Sequence, residues 1–168
     1  GIGGSNGRSA IILLVDDSPS MGLRNAGGIL LDQARAAARQ IIALARPGDE
    51  VAVIPLSSFA TADTGRITPG QQEALARTDR ISPTNTFTSY DAPVRRALAL
   101  LRSSAAVNRE LYLLTDLQAS HFPVAQPAPA ADPAPPDDAR LFLVSFEPDR
   151  RENAAVVTAT VESRILAQ

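Results

Sequence analysis

The chain has 168 residues, 45% of them hydrophobic, which is enough for one domain with a full core. Its formal net charge is −2, with all 16 cationic residues arginine, so the sequence carries no basic footprint for nucleic acid and no lysine chemistry. Cysteine is absent, which excludes disulfides, thiolate metal sites and thiol catalysis, and no run reaches the roughly 18 apolar residues of a membrane span.

Residues 1–8 read as a linker or cloning remnant ahead of a domain. Residues 10–15, AIILLV, form a continuous apolar run, as expected of a strand buried on both faces. Residues 16–28 are rich in Ser, Pro, Gly and Asn and read as loop. From 29 to 45 the apolar residues Leu30, Leu31, Ala34, Ala37, Ala38, Ile41, Ile42 and Ala45 recur at helical spacing, and Pro47-Gly48-Asp49 ends the helix. A second buried strand is expected at 51–56, followed by irregular chain to 68. Thr68-Pro69 reads as an N-cap with proline at the first helical position, opening a short helix over 70–77.

Residues 81–89 are polar loop, and 91–101 form a helix with Val94, Ala97, Leu98 and Leu101 on one face. A third buried strand over 111–114 ends at Thr115-Asp116. Residues 124–139 are Pro/Ala-rich and read as an exposed extended excursion. A fourth strand is expected at 141–146. Residues 155–161 alternate in the manner of a one-sided or edge strand. Residues 149–168 therefore read as an added strand or the start of a truncated following domain, with the main domain at 9–148.

Strands alternating with helices predict an α/β fold: a doubly wound, mostly parallel sheet flanked by helices, with an additional C-terminal edge strand. Such sheets bind ligands at the carboxyl ends of their strands. Asp16 and Asp116 both stand there, and neighbouring strands would place them in one crevice.

Asp16-Asp17-Ser18-Pro19-Ser20 is the richest cluster of oxygen ligands. An acid leaving a buried strand, followed by two hydroxyls at alternate positions, suits a hard divalent cation. His121, the sole histidine, has no spaced partner for zinc or for nucleophilic catalysis and reads as a surface residue; Met21 reads as a packing residue.

Residues 12–19 resemble the first strand and acid pair of a phosphorelay receiver. That family needs a phosphoacceptor Asp about forty residues on and a later lysine; residues 53–61 contain no acid, and the chain contains no lysine. The sequence instead resembles the von Willebrand factor A fold, a Rossmann-like fold, with its metal-ion-dependent adhesion site. Asp16, Ser18 and Ser20 supply that family's Asp-x-Ser-x-Ser. Among Thr84, Thr86 and Thr88, Thr88 best matches the threonine expected before a later helix, and Thr115-Asp116 matches the closing acid. Pro19 and Leu117 stand where glycine is commoner. Thr88-Ser89-Tyr90-Asp91 and residues 109–118 are further similar to the bacterial Bat-type, aerotolerance-associated A-domain proteins.

The resemblance implies a non-enzymatic, metal-dependent protein-interaction module. Asp16, Ser18, Ser20, Thr88 and Asp116 would hold Mg²⁺, with Mn²⁺ or Ca²⁺ as substitutes, and a protein partner would present an acidic residue to it. It also implies a bacterial cell-envelope protein, anchored in the membrane through segments outside these residues. A structural scaffold with an unoccupied site is the alternative, followed by a diverged receiver-like or Mg²⁺-dependent phosphatase domain.

Overall fold

Six of the seven residues of β1 (Ser9–Val15) are buried, as a strand at the centre of a doubly covered sheet requires. The computed structural model describes residues 7–60, 67–86, 89–117, 139–148 and 158–160. Beyond β1 the chain makes a 3₁₀ turn (Pro19–Gly22), a two-stranded ribbon of β2 (Arg24–Asn25) and β3 (Gly28–Ile29), and helix α1 (Leu30–Ala43). Then come β4 (Glu50–Pro55), a second 3₁₀ turn (Leu56–Ala60), β5 (Thr68–Pro69), α2 (Gln72–Arg80) and α3 (Asp91–Ser103). Strands β6 (Asn108–Thr115), β7 (Ala139–Ser145) and β8 (Thr158–Thr160) complete the described elements.

The main sheet has the order β5-β4-β1-β6-β7-β8. β1 runs parallel to β4 and β6, and β6 parallel to β7, whereas β5 and β8 are antiparallel at the two edges. The expected α/β sheet and its added edge strand are thus present.

Alternation along β1 divides the core. Ile11, Leu13 and Val15 pack with Leu31, Ala34, Ala38 and Ile42 of α1 and Ala74 of α2. Ala10, Ile12 and Leu14 pack on the other face with Ala97 and Leu101 of α3. Each Leu or Ile buried in this way stabilises the fold by roughly 1.5–3 kcal/mol.

Two local expectations are corrected. Thr68 and Pro69 do not open a helix; they pair with Val51 and Glu50 as an antiparallel edge strand, and α2 starts at Gln72. Proline is compatible with an edge strand, because a missing N–H there breaks no ladder. Gly70, at φ +92°, then turns the chain into the helix. Ala139, expected in the Pro/Ala-rich excursion, opens β7, and the rest of that excursion lies outside the described residues. His121 also lies outside them.

At the amino end of the sheet, Asp49 acts as a clamp. Its Oδ1 accepts from the Ser9 amide at 2.8 Å and its Oδ2 from the Arg46 amide at 2.7 Å. Its carbonyl accepts from Gly70 N–H at 3.2 Å. The side chain therefore joins the start of β1 to the turn after α1, and Gly48 at φ +93° makes that turn attainable. Asp49→Ala leaves two amides without their acceptor. A loss of about 1–3 kcal/mol in urea unfolding, at unchanged m-value, is the expected outcome.

Candidate metal centre

β1 lies between β4 and β6, with α1 following it on one face of the sheet and α3 preceding β6 on the other. The carboxyl ends of β1 and β6 therefore flank a topological switch point, where open α/β sheets form their binding crevice. Asp16 leaves β1 and Asp116 leaves β6. The β1–β6 ladder runs past the end of β1, with Asp16 N–H donating to the Leu114 carbonyl at 2.8 Å.

The loop after Asp16 is tightly built. Pro19 restricts Ser18 to extended backbone, observed at φ −64°, ψ 163°, and opens the 3₁₀ turn Pro19–Gly22. Met21 N–H donates to the Ser18 carbonyl at 3.0 Å, and Leu23 N–H to the Ser20 carbonyl at 3.0 Å. Met21 is fully buried and anchors the turn in the α1-side core, as a packing residue should. The turn brings Ser18 Oγ and Ser20 Oγ to 3.1 Å from each other. Pro19, the departure from glycine, thus helps form the hydroxyl pair.

Asp16 is fully buried. Its Oδ1 accepts from Ser18 N–H at 2.9 Å. Its Oδ2 accepts from Thr115 Oγ1 at 2.6 Å, and the Tyr90 hydroxyl oxygen stands 3.4 Å from the same oxygen. Tyr90 and Thr115 were not singled out from the sequence as site residues, although Thr115 is the residue before the expected acid. Burial, followed by the negative charges of Asp16 and Asp116, pushes the Tyr90 phenol well above its ordinary value. Both acids thus lie within electrostatic range of the same phenol.

Asp17 turns away from this pair. Its Oδ1 accepts from Ser57 N–H at 3.0 Å, its Oδ2 accepts from Ser57 Oγ, and it is 3% exposed. Its carbonyl accepts from Thr84 N–H at 2.8 Å and Thr84 Oγ1 at 3.1 Å. Thr84 Oγ1 also accepts from Thr86 N–H at 3.3 Å, so the Thr84 hydroxyl is engaged with backbone. Thr88 lies outside the described residues. On either side of it, Thr84 touches Asp17 and Tyr90 touches Asp16.

The donor set fits a small hard cation. Mg²⁺–oxygen bonds of about 2.0–2.1 Å at right angles place adjacent oxygens about 2.9 Å apart. The Ser18–Ser20 separation of 3.1 Å lies between that edge and the roughly 3.3–3.7 Å that Ca²⁺ at about 2.3–2.6 Å would need, so the pair suits a hard divalent cation without choosing between them. Among the described residues no group of three or more His, Cys, Asp or Glu gathers to hold a metal, so any cation here would rest on hydroxyls plus two acids.

Acids and hydroxyls at the switch point of an open parallel sheet define a doubly wound α/β binding domain. The chain belongs to the von Willebrand factor type A domain family, whose sequence model matches residues 11–118. That family serves as a protein-interaction module, and its assignment decides against the receiver reading of the Asp16-Asp17 pair.

No curated protein sequence matches the chain. Among solved structures, it is similar to three N-terminal domains of the type V pili tip protein Mfa5 from Porphyromonas gingivalis (TM-score 0.52, 18% identity), covering 66% of this chain and 20% of that one. The vWF domain of the same protein gives a TM-score of 0.51 at 17% identity, covering 66% of this chain and 38% of that one. The PilB minor pilin from Streptococcus sanguinis gives 0.51 at 18% identity, covering 65% and 30%. The chain thus spans well under half of each of these proteins, and the likeness is one of fold.

Asp17 gives a pH-dependent test of this loop. Burial raises its carboxyl above the ordinary value, and the Ser57 hydrogen bonds offset only part of that rise. The folded state therefore holds the proton more tightly than the unfolded chain. That contribution is complete below the unfolded pKa of 3.8 and is lost as pH rises through the folded one. Asp17→Asn keeps an acceptor for Ser57 N–H and offers a donor to Ser57 Oγ. Its stability relative to wild type should increase from acid to neutral pH in urea titrations. Asp17→Ala, which strands the Ser57 amide, should cost about 1–3 kcal/mol.

Proposed function

We propose that the domain binds protein partners through a divalent cation, Mg²⁺ with Mn²⁺ or Ca²⁺ as substitutes, held by Asp16, Ser18, Ser20, Thr88 and Asp116. The observation that carries this reading is the Ser18–Ser20 hydroxyl pair, 3.1 Å apart, beside buried Asp16 at the switch point. Asp16 Oδ2 already accepts the Thr115 hydroxyl within the fold, so this acid would contribute charge and its Oδ1 side, in part through water. Neutral hydroxyl ligands leave a cation strongly electrophilic, and the bound ion would supply an attachment point for an acidic side chain of the partner.

The activity proposed is binding without catalysis, with the domain spanning residues 9–148. No lysine or cysteine is available as a nucleophile, and nothing in the charge balance favours nucleic acid. The resemblance to Bat-type proteins and the fold shared with pilus proteins support a place in the bacterial cell envelope, with membrane anchoring outside these residues. No helix among the described residues is long and apolar enough to cross a membrane.

Isothermal calorimetry with Mg²⁺ and Mn²⁺, on wild type and Asp16→Ala, tests the reading. Saturable binding by wild type, weakened at least about 10-fold in the variant, is expected. Metal at about 100 times Kd should also stabilise the fold by about 2.7 kcal/mol. Absence of binding by wild type would leave the scaffold reading in its place.

A further inference from the structure

We infer that Tyr90 is a positioning residue for the candidate metal site: through Thr115 it fixes Asp16 and ties that acid to the first turn of α3. This rests on the metal-binding reading above.

The direction of each hydrogen bond follows from proton counting. Thr115 Oγ1 has a single proton, which it donates to Asp16 Oδ2 at 2.6 Å. Its contact with Tyr90 OH at 2.5 Å must then run the other way, with the phenol donating. The same oxygen accepts Leu117 N–H at 3.2 Å. Tyr90 O–H therefore donates to Thr115, and Thr115 donates to Asp16. The chain of bonds is buried, with Thr115 at 0% and Tyr90 at 4% exposure, so water does not compete for it.

Tyr90 is also part of the helix start. It is the residue immediately before α3, and its carbonyl accepts from Val94 N–H at 2.9 Å. Its side chain contributes no cap to α3; the hydroxyl is directed at the site. Phenylalanine would fill the same apolar space against the α3-side core while releasing the Thr115 hydroxyl to rotate. A packing role and a positioning role thus separate at one oxygen atom.

The aromatic content makes the inference readable by spectroscopy. The chain has two tyrosines and no tryptophan. Tyr112 lies on β6 with its hydroxyl on Glu110 Oε2 at 2.9 Å, away from the site. In Tyr112→Phe, intrinsic tyrosine emission comes from Tyr90 alone. Titrating this variant with Mg²⁺ should change the emission saturably, with the midpoint found by calorimetry. Tyr90→Phe should weaken Mg²⁺ binding about 10-fold. Thr115→Ser, which keeps the hydroxyl, should bind as wild type does, and Thr115→Val should resemble Tyr90→Phe.

Flat Tyr90 emission in a protein that takes up Mg²⁺, or unchanged affinity in Tyr90→Phe, would overturn the inference and leave the metal reading intact. Absence of Mg²⁺ binding by wild type would remove both. If Tyr90→Phe fails to fold, the Tyr112→Phe emission and the Thr115 pair decide the matter.

Discussion

The parallel pairing of β1 with β6 is the constraint on which the rest depends. Its register sets Val15 beside Leu114, so the next residues, Asp16 and Thr115, meet across the strand exits. A shift by one residue would exchange the faces of β1 and send its apolar set to the wrong helices. Burial of β1 on both sides is therefore also what holds Asp16 in place. The packing of Leu13 and Val15 on one face, and of Ile12 and Leu14 on the other, fixes the acid before any ligand is involved.

The same alternation explains why two adjacent acids do different work. Even-numbered residues of β1 face α3, and Asp16 continues that series to Tyr90. Asp17 points elsewhere, to Ser57 after β4, and its carbonyl receives Thr84 from the loop beyond α2. In the sequence the two form an acid pair. In space one belongs to the crevice and the other ties together the loops around it. Both are buried, and hydroxyl and amide donors meet each of them, as desolvated carboxylates require.

Much of the framework was legible because periodicity reports burial directly. The run at 10–15 and the helical spacing over 29–45 correspond to β1 and α1 within a few residues. Thr68-Pro69 misled because a cap-plus-proline signature is local, whereas antiparallel pairing with Glu50 and Val51 is not encoded nearby. The site was legible in its Asp-x-Ser-x-Ser spacing but not in its supports. Tyr90 and Thr115 lie within the stretches that carry the resemblance, but nothing local marks them as supports of Asp16; they matter because α3 and β6 converge on it from distant parts of the chain. The contacts of Ser57 and Thr84 with Asp17 were hidden for the same reason.

The two departures from the family's glycine-rich pattern have local resolutions that point to the same hydroxyl chemistry. Pro19 holds Ser18 extended and starts the turn that brings Ser20 beside it. Leu117 adopts φ +56°, a left-handed conformation that costs a non-glycine residue roughly 1–2 kcal/mol. Its amide is held there by Thr115 Oγ1, the oxygen that also receives Tyr90 and donates to Asp16. One buried hydroxyl thus takes part in fixing the exit of β6, the start of α3 and the acid at the end of β1. A cation bound against Asp16 would meet an acid tied through that hydroxyl to both strand exits and to the helix start.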